Sequence, residues 1–316
     1  METKGNSLSM QLGWRGRLAL FIGKGGVGKT SLATAFALWA SRQGKRVLVA
    51  EVRSFRRVPA LLGREVQDNG PVQLLPGLDW INLTPSFSLE IYAMKLLRMR
   101  SLYQAVFGQP AVSRFLRAIP SLAEILMLGH VVHILENDPY DLIVLDAPST
   151  GPGTLMLESP RAALETAPRG PLREGAAWIH SFLSDPQKTR IHVVVTLEEL
   201  PVNEAISLTH RLRDELHLPL GMALANRLWK SPFSDDTSEI EQEAQRHANG
   251  VALGTAATQF RTRLALQARY LERLRAGLFL PIVEIPEILA GTGDGEVVGA
   301  LADHFASLQK QEERVG

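Results

Sequence analysis

At 316 residues, with 45% hydrophobic and 21% charged, the chain has the composition of a globular protein of one large domain or two ordinary ones, and no segment is starved of apolar residues as disorder requires. A net charge of +1, with basic residues spread out rather than run together, gives no reason to expect a general binder of nucleic acid or of an acidic membrane surface. The absence of cysteine excludes disulfides, thiol nucleophiles, iron–sulfur clusters and zinc sites built on thiolates.

Residues 1–16 lack the apolar core of a signal peptide and are expected to be a flexible leader. The longest apolar stretches, such as AEILMLGHVVHIL, are too short and too interrupted to span a bilayer. A location in the cytoplasm is therefore expected. Along the chain, LALFIG (18–23) is a short apolar run stopped by glycines, the mark of a strand buried on both faces. A helix is predicted over 30–45, ending at Gly44 with basic residues in its last turn. Further strands are predicted at 46–52, 80–85, 141–148, 191–197, 221–228 and 280–286, with helices between them that include 201–218 and a long polar one near 237–277. Strands alternating with helices imply βαβ units, hence an α/β fold with a doubly wound, mostly parallel sheet.

Two regions break that rhythm. From about 87 to 135 the pattern is helical, with Leu89, Tyr92, Ala93, Leu96 and Leu97 on one face. A smaller helical region covers about 158–185. The expected organisation is one domain over 17–316 with these two helical insertions. Met94, Met99 and Met127 in the larger one suit a flexible apolar groove, or the packing of the insertion on its own core. His130 and His133 have a metal-like spacing but no evident third ligand, so a structural reading is adopted for them.

The chemistry concentrates between the first strand and the first helix. GKGGVGKT at 23–30 matches G-x-x-x-x-G-K-[ST] at every position, with an apolar strand entering and a helix leaving. Glycines let successive N–H groups turn inward around phosphate oxygens, and the helix N-terminus adds partial positive charge. Gly23, Gly25, Gly26, Val27, Gly28, Lys29, Thr30 and Ser31 are thus assigned to a phosphate cradle, with Lys29 against the β- and γ-phosphates and the Thr30 hydroxyl on Mg²⁺. Asp146 follows four apolar strand residues, where a carboxylate that holds Mg²⁺, directly or through water, belongs. An N-K-x-D guanine motif is missing: after Asn226 stand Arg227 and, in place of the Asp, Trp229. Adenine is favoured, with Asn226 a base contact and Pro286 counted among the nucleotide-binding residues.

With its extra lysine, Lys24, the segment KGGVGKT resembles the deviant Walker A loop of the family that includes ParA, MinD, the nitrogenase iron protein and the ArsA ATPases. Within it the chain is most similar to the ArsA branch, the arsenite-pump and tail-anchored-protein-targeting ATPases. DAPSTGPGTLMLESP (146–160) is similar to that branch's D-T-A-P-T-G-H switch II, and VTLEELPVNEA (195–205) to the segment after its next strand. The helical insertion falls where the branch carries its client subdomain. The resemblance implies an ATP- and Mg²⁺-dependent ATPase working as a nucleotide-sandwich dimer, in which Lys24 reaches the partner's nucleotide. It also implies a protein client at the insertion.

The departures bear on turnover. Where the family's switch I carries a water-orienting Asp, this chain has Arg53, which cannot act as a base. Either the nearest carboxylate, Glu51, takes over, or Asp146 or another group does, or hydrolysis is slow. Arg53, Arg56 and Arg57 either grip phosphates or an acidic partner or form a solvated basic loop. The switch II His is replaced by Pro152, and without cysteine the family's thiol arsenite site and paired-cysteine zinc clasp are ruled out. The catalytic candidates are therefore Lys24, Lys29, Asp146 and Glu51, and the metal candidates Thr30 and Asp146. The expected function is a dimeric ATPase switch, homodimeric or paired with a paralogous chain. The alternatives are a weakly hydrolysing ATP-binding assembly partner and a ParA- or MinD-like positioning ATPase; no nucleic-acid partner and no integral membrane segment are expected.

Overall fold

The computed structural model describes residues 16–67, 69–97, 121–230, 250–288 and 293–313. Eight strands form one sheet: β1 (Leu18–Gly23), β2 (Val47–Val52), β3 (Val72–Leu75), β4 (Leu78–Leu83), β5 (Leu142–Ser149), β6 (Thr189–Thr196), β7 (Leu220–Leu228) and β8 (Ile282–Pro286). Their spatial order is β3-β4-β2-β5-β1-β6-β7-β8. Every pairing is parallel except β3 with β4. The helices are α1 (Lys29–Arg42), α2 (Arg57–Leu61), α3 (Pro85–Leu97), α4 (Leu122–Asn137), α5 (Thr150–Thr166), α6 (Pro171–Ser184), α7 (Glu199–His210), α8 (Gly250–Gly277) and α9 (Asp294–Glu313), with a π-helical turn at Arg211–Glu215 closing α7.

The sheet lies between two helical layers, which is why its central strands read as unbroken apolar runs. In β1, Leu18, Leu20 and Ile22 enter one core with α4, α5, α6 and α7. Ala19 and Phe21 enter the other, with α1 and α9. There Phe305 of α9 meets Phe36 of α1 edge-on at 5.6 Å, so the C-terminal helix covers the helix that leaves the glycine loop. The predicted strands all appear, with ends shifted by up to two residues. β3 was not predicted: four residues between Pro71 and Pro76, on an antiparallel edge, are too short to show a period.

The larger helical region contains α3 and α4; residues 98–120, including Met99, lie outside those described. The smaller one contains the second part of α5 and all of α6. The part of the long polar helix before 250, and most of the leader, also lie outside. No helix among the described residues is long and apolar enough to cross a membrane.

Candidate nucleotide-binding site

Ligands of such sheets bind beyond the carboxyl ends of the strands, where the winding reverses. Here that is the end of β1, flanked by β5 and β6. Gly26 and Gly28 adopt φ of 87° and 93°, left-handed values that a side chain rarely tolerates. A Cβ at Gly23 would collide with the Val194 carbonyl oxygen, and one at Gly28 with the Asn226 amide. The loop thus turns where only glycine fits, and Gly25 and Gly26 stand exposed over the start of α1. The Lys29 ammonium donates to the Lys24 carbonyl at 3.0 Å, arching over the loop. Burial lowers its pKa, Asp146 acting in the opposite sense and Arg57 in the same one. Val27 is buried, while Ser31 sits half-buried in the first turn of α1.

Phe21 of β1 and Asp146 of β5 are register partners, which brings the two halves of the site together. Thr30 Oγ1 donates to Asp146 Oδ2 at 2.6 Å. The other oxygen, Oδ1, is buried with no partner among the described residues. A buried carboxylate oxygen left without a donor is costly, and beside a threonine hydroxyl it suits a hard divalent cation such as Mg²⁺. Burial pushes Asp146 up to about 6, with Glu51 adding to the rise and the Thr30 hydroxyl, Lys29 and Arg57 opposing it. A cation would restore its charge. Thr30 and Asp146 therefore fit the metal.

Glu51 stands next to Asp146 in the β2–β5 register. It is 1% exposed. Its Oε2 accepts from the Trp80 indole at 2.6 Å and from Val58 N at 3.1 Å. Its Oε1 accepts from Ser54 Oγ at 2.5 Å. Two of these donors, Ser54 and Val58, tie the carboxylate to the segment that follows β2, and the third, Trp80, ties it to β4; in that segment Arg53 and Arg56 take left-handed φ of 50° and 59°. Arg53 turns away to Glu124 of α4, 2.9 Å distant, and Arg56 donates to the Gln67 carbonyl at 2.6 Å.

Lys24 is paired with Glu204 of α7 at 2.5 Å, both side chains about one-third exposed. Asn226, buried at the end of β7, donates through Nδ2 to the Val27 carbonyl at 2.8 Å. That bond braces the glycine loop from outside. Beyond it a cavity of about 440 Å³ is lined by Thr196, Glu198, Asn226, Trp229, Gln267 and Glu287. Gln267 of α8 binds both backbone groups of Trp229, and Arg263 stacks on its ring at 4.2 Å. Half-buried Pro286 pairs in register with Leu228 and does not line that cavity, although its neighbour Glu287 does.

A second cavity, of about 870 Å³ and largely apolar, lies between α3, α4 and α6, with Tyr92, Leu122, Leu126, Leu172 and Trp178 on its wall. Met127 is not part of that wall; it is 1% exposed in the core. His130 lines the cavity floor, within hydrogen-bonding distance of Ser88 Oγ, and burial lowers it to about 4. Among the described residues no group of three or more His, Asp and Glu is placed to bind a metal. Sequence reading missed Glu204, Gln267 and the bracing role of Asn226. Only the segment containing Glu204 had drawn notice, and nothing in its spacing points to Lys24.

Residues 16–167 match the model of a family described as anion-transporting ATPases. ATPase BagA of Mycobacterium tuberculosis is 27% identical, over 95% of this chain and 96% of that protein. Arsenical pump-driving ATPases of Escherichia coli and Acidiphilium multivorum are each 26% identical, over 60% and 63% of this chain. This chain spans 36% and 37% of those two proteins.

Proposed function

Because the chain belongs to the ArsA family of P-loop ATPases, we propose that it is a nucleotide-driven switch which binds ATP with Mg²⁺ at residues 23–31, closes with a second protomer, and holds a protein client in the groove between α3, α4 and α6. The observation that carries the nucleotide reading is the junction of Thr30 and Asp146, with one carboxylate oxygen buried and without a partner among the described residues, beside an intact glycine loop. In this reading the glycine-loop N–H groups and Lys29 bind the phosphates, Thr30 and Asp146 hold the metal, and Asn226 keeps the loop in shape. Bound Mg²⁺ would offset charge on the phosphate oxygens. Lys24 would leave Glu204 when the second protomer arrives and add a cation to the phosphates there, where charge spreads as the terminal bond breaks. Location in the cytoplasm is part of the proposal.

A second reading, an ATP-binding partner with little turnover that relies on a paralogous chain, is favoured by the loop after β2. Arg53 stands at the family's switch I position, and the nearby Glu51 is held by three donors as a loop anchor rather than presented to a water. One experiment separates the two: single-turnover ATP hydrolysis with Mg²⁺, alongside mass by light scattering with and without ATP, for wild type and Lys24→Ala. The switch reading expects ATP-dependent dimers and turnover, with Lys24→Ala keeping nucleotide binding and losing turnover. A wild type that binds ATP, stays monomeric and leaves it intact selects the second reading.

A further inference from the structure

We propose that Arg57 contacts the terminal phosphate of a bound nucleoside triphosphate from within the same chain, so that the loop after β2 distinguishes triphosphate from diphosphate. The inference rests on the nucleotide reading above and adds a residue which that reading does not use.

The first ground is placement. The spatial order β2-β5-β1 puts the glycine loop, Asp146 and the loop after β2 side by side at one end of the sheet. Adjacent strands lie about 4.8 Å apart, so the Arg57 loop begins roughly 10 Å from the end of β1, on the far side of Asp146. The glycine N–H groups and Lys29 cover the phosphates nearest β1. The phosphate that reaches past Asp146 towards β2 is the terminal one.

The second ground is that this loop is fixed while its last arginine is uncommitted. Glu51 ties down Ser54 and Val58, and Arg57 N donates to Ser54 Oγ at 3.3 Å. Arg53 is paired with Glu124 and Arg56 with the Gln67 carbonyl. The exposed Arg57 guanidinium has no hydrogen bond or ion pair among the described residues. It nevertheless lies within electrostatic reach of both Lys29 and Asp146, disfavouring charge on the first and favouring it on the second. Two cations facing one cleft repel each other until an anion enters. A planar guanidinium fork matches two phosphate oxygens.

The test is calorimetric titration of the full chain with Mg·ATP and with Mg·ADP, for wild type, Arg57→Ala, Arg57→Lys and Arg56→Ala. The expected result is that Arg57→Ala weakens ATP about tenfold and ADP less than about twofold. Arg57→Lys should fall between, and Arg56→Ala should keep the wild-type ratio of the two affinities. Equal weakening of ATP and ADP by Arg57→Ala, or no change in either, would overturn the assignment. A wild type that binds neither nucleotide would overturn the underlying reading instead, a result distinguishable from both.

Discussion

Lys24 and Glu204, 180 residues apart in sequence, meet at 2.5 Å across the mouth of the glycine loop. The pair joins the loop after β1 to α7 after β6, and it neutralises the loop lysine that, unlike Lys29, does not fold back over the glycines. Both side chains are partly wet, so the bond is worth little to folding. Its consequence is for closure: a lysine held by its own chain must be released before it can serve another. Glu204→Gln should therefore leave the melting temperature nearly unchanged and tighten ATP-dependent association by about threefold. Lys24→Ala should lower turnover on the order of a thousandfold with ATP affinity preserved. Sedimentation with and without ATP reads the first effect, and unchanged association in Glu204→Gln would show that the pair restrains nothing.

The Thr30–Asp146 bond makes a prediction about metal. Asp146→Asn keeps the shape but loses the charge, so ATP should bind with the same affinity with and without Mg²⁺, whereas the wild type gains on adding it. Burial already holds this carboxylate up at about 6, so removing the charge should not lower the melting temperature. A variant that retained the full Mg²⁺ response would move the metal elsewhere.

Asn226 distinguishes a brace from a base reader. Its Nδ2 is spent on the Val27 carbonyl. If bracing is its main task, Asn226→Ala should weaken ATP and plain tripolyphosphate by the same factor, about tenfold, through a lost bond and a buried carbonyl left unpaired. A loss confined to ATP would make it a reader of adenine.

How much of this was visible in the sequence depends on how far apart the partners are. The strands β1, β2 and β5 were visible as apolar runs, and the glycine cradle is contiguous, so its chemistry could be read residue by residue. β3 is too short and too near the edge to carry a signal. The role of α9 was hidden because its apolar stripe, Val298, Leu301, Ala302 and Phe305, is matched by Phe36 and Trp39 far back in the chain. The same distance conceals Glu204 opposite Lys24, Asn226 under Val27 and Gln267 at Trp229. Glu51 was singled out as the carboxylate nearest Arg53; that Ser54, Val58 and Trp80 of β4 would fasten it in place follows only from the closed fold.

Arg53 and Glu124 connect the nucleotide side to the apolar cavity, since Glu124 lies in the first turn of α4 beside Leu122 and Leu126 of the cavity wall. If nucleotide moves the loop after β2, this pair is positioned to move α4 with it. An apolar dye bound in the groove should then respond to ATP in the wild type and lose that response in Glu124→Gln, whose ATP affinity should stay within about twofold because an exposed pair contributes little by itself. A dye response that survived Glu124→Gln would mean that any coupling runs through another contact.

His192 should weaken the fold as the solution becomes acid. It is fully buried in β6 against Phe21 and Phe36; its Nδ1 accepts from Met222 N at 3.3 Å, and Nε2 has no partner among the described residues. Burial, with Arg190 adding to it, depresses it from 6.5 to about 3, so between those values only the unfolded chain takes up the proton. Its contribution is whole above pH 6.5 and is lost progressively as pH falls towards 3. His130 acts in the same sense, whereas Asp146, raised by burial, acts in the opposite one. A comparison with His192→Gln isolates the one group. Between pH 6 and 4, denaturant titrations should show the wild type losing stability more steeply than the variant by the slope of one proton, about 1.4 kcal/mol per pH unit. Parallel curves would mean that His192 takes up its proton in the folded state as readily as in the unfolded one.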